Sequence, residues 1–208
     1  AGVPQRLPFI VADEIDNLRE GAPASLDIRI EQAGELVAEA TVAQRADGII
    51  TPYFALSIEF AAPGEYSASL PGFPDVAAVS FTVVDADQVP IPQVGDTIEP
   101  TLTPTIDDDQ GVTPICTRAI PCPFHDVSHA DVATNGRAMV LLVATPGFCQ
   151  TDICGPVVDL LIDAADGRDD LDVIHAEVYV DPSDFATGGF PELTPIVQAA
   201  NLPFEPVL

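Results

Sequence analysis

The stretch VLLVATPGFCQTDICGPVVDLLIDAAD, residues 140–166, decides how the second half of this chain folds. It opens with a β-branched, apolar run typical of a buried strand, passes through a Pro-Gly turn and continues with the apolar spacing of an amphipathic helix. Cys149 and Cys154 lie where the strand gives way to the helix. Unpaired backbone N–H groups and the helix dipole stabilise a thiolate at such a position. The stretch therefore predicts thiol chemistry.

The residues around this stretch extend the same pattern. Apolar periodicity predicts a strand over 137–144, a helix over 154–165, a second strand over 172–180 and a second helix over 191–201. A strand–helix–strand–helix series favours parallel pairing through right-handed crossovers. We therefore expect an α/β domain over residues 115–208.

The first half of the chain, residues 1–85, has a different pattern. Short runs rich in β-branched and aromatic residues alternate partly with period two and are separated by turn residues. The runs are LPFIVAD, SLDIRIEQ, ELVAEATVA, YFALSIEFA, EYSASL and AVSFTVVD. They predict an all-β sandwich that resembles immunoglobulin-like domains, in which Tyr66 would bond back to the main chain at a corner. This half contains no catalytic constellation in its sequence.

Between the halves, residues 86–114 are rich in proline and aspartate and lose apolar periodicity. Proline fixes the backbone and repeated negative charge discourages collapse, so this segment is predicted to be a semi-extended linker. The predicted organisation is thus an all-β domain, a linker and an α/β domain.

Composition limits the partners of this 208-residue chain. It carries 33 Asp and Glu against 7 basic residues, a net charge of −26, which disfavours binding to nucleic acid or to an anionic membrane surface. The longest apolar stretch, residues 139–145, is too short to span a bilayer, although a lipid or other tether stays open. Paired cysteines and a start at Ala1 predict an exported protein, extracellular or in the cell envelope.

Four features of the second half share a pattern: the segment ATPGFC ending at Cys149, the helix entry Cys154-Gly155-Pro156, the strand over 173–180, and Glu205-Pro206. Together they resemble the thioredoxin-like superfamily, in particular exported actinobacterial-type domains, over residues 112–208. The resemblance implies dithiol–disulfide exchange with a protein partner and without a cofactor. Cys149 would attack the partner and Cys154 would resolve the mixed disulfide. Pro206 would be a cis-proline that lies against the active disulfide and shapes the substrate groove.

The resemblance also implies structure beyond Pro206, because the thioredoxin fold has a further strand pair and a last helix there. We expect the natural polypeptide to continue for roughly 35–50 residues, judged from ordinary element sizes. The alternative is that another subunit supplies the missing strand by strand addition, in a homo-oligomer or strand exchange.

The other cysteine pair, Cys116 and Cys122, is predicted to form a structural disulfide that closes a small loop. With His125 and His129 these cysteines spell C-x5-C-x2-H-x3-H, which superficially resembles a zinc site. The cysteine spacing is longer than usual and an oxidised pair cannot bind zinc, so the sequence predicts no metal there. His175, within the second predicted strand, is predicted to be a core or edge histidine.

The leading hypothesis is therefore an exported thiol–disulfide exchange protein, and whether it is an enzyme stays open between two alternatives. One is a non-catalytic surface or assembly protein whose two disulfides are structural. The other is copper handling through Cys149, Cys154 and His175, with the ring of His175 facing Cys149.

Overall fold

A computed structural model describes residues 1–12, 21–49, 51–149 and 153–208 of the chain. The chain divides into two compact units, Ala1–Pro90 and Ile91–Leu208, which are described separately below. Among the described residues, no helix combines the length and the apolar character needed to cross a membrane.

Unit 1 is a curled, antiparallel sheet of six strands in the order β1-β4-β3-β2-β5-β6. The strands are β1 (Pro4–Phe9), β2 (Ser25–Gln32), β3 (Glu35–Arg45), β4 (Tyr53–Glu59), β5 (Gly64–Ser69) and β6 (Val79–Val83). Strand β3 pairs with β2 along most of its length but with β4 only through Gln44 and Arg45. All six predicted strands are present, and the predicted all-β class of this half is confirmed.

The core of unit 1 follows from strand alternation. Every second residue of β2 (Leu26, Ile28 and Ile30) is buried, since successive side chains of a strand point to opposite faces. Phe54 of β4 is buried in the same core. The predicted corner contact of Tyr66 is confirmed: its hydroxyl donates to the carbonyl of Ala62 at 2.7 Å.

Unit 2 contains one strand–helix–strand unit and further short helices. Its elements are α1 (His129–Val132), β7 (Ala138–Val143), α2 (Cys154–Ala165), β8 (Leu171–Ala176) and α3 (Pro195–Ala199). Strands β7 and β8 pair in parallel, as predicted, and α2 has the predicted bounds. The larger α/β domain that the sequence predicts is not seen: in the described residues these strands form a sheet of two, joined only by an isolated bridge from Val143 to Val207.

The segment predicted as a linker, residues 86–114, differs from the prediction. From Ile91 onward it belongs to unit 2. The Thr103 N–H donates to the Ser128 hydroxyl at 2.8 Å and the Ile106 N–H to the carbonyl of His125 at 2.9 Å. An extended, proline-rich chain can lie against a domain when neighbouring groups take the place of water as partners of its N–H groups. Composition alone does not reveal such partners.

Candidate functional site

The first site lies between the end of β7 and the start of α2. Cys149 and Cys154 are joined by a disulfide with an S–S distance of 2.03 Å. Cys154 is the first residue of α2 and is 0% exposed, whereas Cys149 is only partly buried. An incoming sulfur would therefore meet Cys149 first.

A carboxylate lies beside the buried sulfur. Glu205 Oε2 is 3.7 Å from Cys154 Sγ and accepts a hydrogen bond from the Thr145 N–H at 2.5 Å. Burial raises the pKa of Glu205, against the opposing effect of the hydrogen bonds from Thr145. A carboxyl group with a raised pKa and a sulfur neighbour is suited to exchange a proton with that sulfur. In the sequence, Glu205 stands out only as the neighbour of Pro206, and no local pattern predicts its contact with Cys154.

The C-terminal segment brings Glu205 and Pro206 back to the end of β7. The Glu205–Pro206 peptide bond is cis, as the resemblance implies. The next residue, Val207, exchanges two backbone hydrogen bonds with Val143, at 2.8 and 3.0 Å. These bonds fix the segment beside the strand that leads to Cys149.

Exposed apolar side chains precede both cysteines of the disulfide in sequence. Phe148 precedes Cys149 and Ile153 precedes Cys154, and both are exposed. A groove of about 520 Å³ has Glu205 in its wall together with Phe204, which is 63% exposed, and Phe190, which is 92% exposed. Exposed aromatic groups in a groove favour contact with an apolar partner segment.

The second site is a buried cluster of Cys116, Cys122, His125 and His175, whose side-chain ligand atoms all lie within 4.8 Å of one another. The structure differs here from the predicted Cys116–Cys122 disulfide. The two Sγ atoms are 4.0 Å apart, about twice the length of an S–S bond, and both cysteines are free thiols. The loop instead directs both sulfurs toward the imidazole of His175.

His175 is a core histidine of β8, as predicted, and 0% exposed. Its Nε2 lies 3.0 Å from the carbonyl oxygen of Ala144. A carbonyl only accepts, so Nε2 carries the hydrogen and the lone pair of Nδ1 faces the thiols. Nδ1 lies 3.3 Å from Cys122 Sγ and 3.9 Å from Cys116 Sγ.

The histidines of this cluster therefore differ from those of the C-x5-C-x2-H-x3-H pattern and from that of the copper hypothesis. His129, the last residue of the C-x5-C-x2-H-x3-H pattern, accepts a hydrogen bond from the Thr101 N–H at Nδ1 instead. His175 lies with Cys116 and Cys122, not with Cys149, so the three residues of the copper hypothesis are not brought together. The sequence could not place His175 in this cluster because it is 53 residues from Cys122.

The two thiols of the cluster differ in acidity. Hydrogen bonding with Cys122 lowers the pKa of Cys116 well below that of an ordinary thiol; hydrogen bonds with His125 and His175 act in the same direction, and burial opposes them. The hydrogen bond with Cys116, together with burial, raises the pKa of Cys122.

A buried carboxylate connects the two sites. Glu177 accepts hydrogen bonds from the Thr117 N–H at 2.6 Å and from its hydroxyl at 3.0 Å. Burial raises the pKa of Glu177 to about 8, against the hydrogen bonds that it accepts. The Thr117 hydroxyl also accepts from the Gly147 N–H at 2.9 Å. The loop after Cys116 and the turn before Cys149 therefore share one hydrogen-bond network.

No protein-family model, curated protein or solved structure matches this chain. The two sites are therefore interpreted from their own chemistry.

Proposed function

We propose that this protein carries out dithiol–disulfide exchange with protein partners through Cys149 and Cys154. One observation carries the proposal: the disulfide joins a partly exposed cysteine to a buried one, and the buried sulfur contacts the carboxylate of Glu205. A purely structural bond needs neither an accessible sulfur nor a proton-exchanging neighbour. Exchange needs an accessible sulfur, and a neighbour that supplies a proton assists the departure of the buried one.

In the first step, a thiolate of a partner dithiol attacks Cys149 Sγ. A mixed disulfide forms between the partner and Cys149, the Cys149–Cys154 bond breaks, and its electron pair goes to Cys154 Sγ. Glu205, 3.7 Å away, donates a proton to that sulfur. Because Cys154 is buried, its thiolate would be costly without such a proton.

In the second step, the other partner thiolate attacks the partner sulfur of the mixed disulfide. The partner leaves with a new disulfide, and Cys149 leaves as a thiolate that takes a proton from water. The partner loses two electrons and the cysteine pair gains them. Run in reverse, Cys149 attacks a partner disulfide and Cys154, deprotonated by Glu205, resolves the mixed disulfide.

The proposal extends to fold and location. A thioredoxin-like assignment of unit 2 is supported by the parallel β7–α2–β8 unit, the cysteine at the start of α2 and the cis peptide bond before Pro206. Pro206 would line the groove that receives the partner. An immunoglobulin-like unit 1, with its apolar core, would position the module or recruit its partner. A disulfide-bonded pair fits an oxidising, extracellular or cell-envelope location.

The proposal is tested by equilibrating the purified protein with glutathione redox buffers and alkylating the free thiols before mass spectrometry. We expect the Cys149–Cys154 pair to titrate within the range of known oxidoreductases, about −270 to −120 mV. A pair that stays oxidised below about −300 mV would show the structural alternative instead.

Two single variants test the assigned roles of the cysteines. Cys154→Ser leaves Cys149 free and should accumulate a stable mixed disulfide with oxidised glutathione at that residue. Cys149→Ser is the matched control and should accumulate far less, because Cys154 is buried. Equal trapping in both variants, or trapping in neither, contradicts the proposed order of attack.

A further inference from the structure

We propose that Cys116, Cys122, His125 and His175 bind one zinc ion in a closed, four-coordinate structural site. The inference is independent of disulfide exchange, because neither Cys149 nor Cys154 contributes a ligand. It rests on the geometry of the cluster, on the hydrogen bond that orients His175 and on the surroundings of His125.

The spacing of the ligand atoms fits a tetrahedral metal. Bonds of about 2.3 Å to sulfur and about 2.0–2.1 Å to nitrogen place two sulfurs roughly 3.8 Å apart, and a sulfur and a nitrogen roughly 3.5 Å apart. Cys116 and Cys122 Sγ are 4.0 Å apart, and the sulfur-to-His175 distances are 3.3 and 3.9 Å. His125 Nε2 lies 3.3 Å from Cys122 Sγ. These four separations match those of a tetrahedral zinc site, and all four ligand atoms lie within 4.8 Å of one another.

The orientation of His175 is set by the backbone. Its Nε2–H donates to the carbonyl oxygen of Ala144. The backbone N–H of Ala144 in turn donates to the carbonyl oxygen of Ala176, the last residue of β8. A zinc-bound histidine ordinarily donates its second ring N–H to a carbonyl or carboxylate, which fixes the tautomer and the ring plane. The lone pair of Nδ1 is thereby directed into the cluster.

The burial of His125 points to the same ligand. Its ring is 2% exposed, and Nδ1 has no hydrogen-bond partner among the described residues. The polar contact of this ring is therefore the one that Nε2 makes with the cluster. Burying an imidazole with so little compensation is costly, and a nitrogen–metal bond would offset that cost.

The donor set selects the class of metal. Two thiolates and two imidazoles suit zinc, whereas magnesium and calcium prefer oxygen ligands. Two thiolates also cancel the charge of a divalent ion, which favours the site in a buried environment. Because all four residues are buried, no position is open to substrate, which is the arrangement of structural zinc sites.

The site would hold a part of unit 2 that has little regular structure. Three ligands lie in the segment from Cys116 to His125, which contains no helix or strand, and the fourth lies on β8. A shared metal would fasten this segment to the sheet. The segment includes Thr117, which contacts the turn before Cys149, so the metal would also stabilise the surroundings of the disulfide.

The test begins with the 208-residue chain purified under mild reductant and stripped of metal with a chelator. Titration with zinc should give one bound ion per chain and raise the melting temperature. Titration with cobalt(II) should give a thiolate-to-cobalt charge-transfer band and the visible bands of tetrahedral coordination. These spectra report the ligand set and do not depend on exchange activity.

Paired histidine variants identify the ligands. His175→Gln should weaken zinc binding by more than about 100-fold, since losing even an outer partner of a ligand costs 10–100-fold. His129→Gln is the matched control: His129 is equally buried and belongs to the same sequence pattern, but it bonds to the backbone of Thr101. It should retain the stoichiometry and the cobalt spectrum.

Several outcomes would overturn the site. The first is that the reduced wild-type chain binds neither zinc nor cobalt stoichiometrically. The second is a Cys116–Cys122 disulfide in the protein as it is isolated without reductant. The third is loss of metal binding in His129→Gln but not in His175→Gln. If His175→Gln does not fold, the cobalt spectrum of a Cys149→Ser/Cys154→Ser double variant still decides, because Cys116 and Cys122 are then the remaining thiols that can give the charge-transfer band. A Cys149→Ser/Cys154→Ser double variant that still binds zinc would separate this inference from the exchange proposal.

Discussion

The core of unit 1 is built from apolar side chains and the ring of Tyr66, whereas unit 2 buries polar and ionisable groups beside its apolar residues. All the buried polar residues of the described chain belong to unit 2: Thr103, His125, Ser128, His129, Thr145, His175, Glu177 and Thr194. Burying such groups costs free energy unless each finds a partner. The difference indicates that apolar packing dominates the core of unit 1, whereas the core of unit 2 also depends on polar contacts.

The largest effect expected from this comparison is in unit 1. Phe54 is fully buried in its core, so Phe54→Ala should lower the free energy of unfolding of this unit by about 3–5 kcal/mol. Chemical denaturation followed by circular dichroism measures the change. Phe190→Ala, at a residue that is 92% exposed, is the control and should change stability by less than about 0.5 kcal/mol.

The same variant sharpens the division between the units. The two units have separate apolar clusters, so Phe54→Ala should leave zinc binding and the reactivity of Cys149 unchanged. Loss of either property at a denaturant concentration that unfolds unit 1 alone would show that the chemistry of unit 2 depends on unit 1.

The next effect concerns the proton of the exchange site. Glu205→Gln keeps the size and the hydrogen-bond acceptor for the Thr145 N–H but removes the exchangeable proton. We expect the rate of reduction of the Cys149–Cys154 disulfide by a dithiol to fall by about 100-fold, the lower range of general acid–base catalysis. Glu192→Gln removes one exposed carboxylate from the same unit and should leave the rate unchanged.

The pH dependence of stability gives a second reading of Glu205. Burial raises the pKa of this carboxyl in the folded, oxidised protein above its ordinary value of 4.5. The folded state therefore favours the protonated form of Glu205. The stability that this carboxyl contributes is fully present at pH values below its ordinary pKa and is lost as the pH rises through the raised pKa. Urea unfolding of the wild type should show this decline with pH, and Glu205→Gln should show less of it. Equal slopes would mean that Glu205 is not protonated beside the disulfide.

A smaller effect is expected where the two sites approach each other. A Cβ added at Gly147 would lie 2.8 Å from the carbonyl oxygen of Thr117, so Gly147→Ala must displace backbone and should cost about 1–3 kcal/mol. Gly155→Ala is the matched control: its Cβ would meet nothing within 4 Å, and alanine is favoured by about 0.5–1 kcal/mol within a helix. Thermal unfolding of both variants measures this difference, and destabilisation by Gly155→Ala would contradict it.

Much of the fold can be predicted from local patterns in the sequence. The six strands of unit 1, the bounds of α2 and the parallel pairing of β7 with β8 follow from apolar periodicity and turn residues, which act over a few neighbours. The packing of residues 91–114 within unit 2 does not follow from such patterns, because it depends on hydrogen bonds to residues some 20 to 30 positions away, such as that from Thr103 to Ser128.

The candidate sites divide in the same way. The contact of Cys149 with Cys154 spans five positions, and its position before a helix can be read from the sequence. The contacts of Glu205 with Cys154 and of His175 with Cys122 span 51 and 53 positions, and only the fold brings them together. For the second cluster, the local pattern C-x5-C-x2-H-x3-H contains His129, whereas the fold places His175 of β8 beside the thiols.

The smallest effect tests a single hydrogen bond within unit 1. Tyr66→Phe keeps the ring, which packs edge-on against Phe60 at 4.7 Å, and removes only the bond from the hydroxyl to the carbonyl of Ala62. A neutral hydrogen bond of this kind contributes about 1 kcal/mol, and the loss should appear as a lower free energy of unfolding of unit 1 alone. Tyr53→Phe, on β4, removes a hydroxyl that accepts a hydrogen bond from Arg6 at the surface and should cost less. If the two variants lower the free energy of unfolding equally, the corner contact of Tyr66 contributes no more than a surface hydrogen bond. If Tyr66→Phe lowers it more, a polar group contributes stability even in the unit that is otherwise held together by apolar packing.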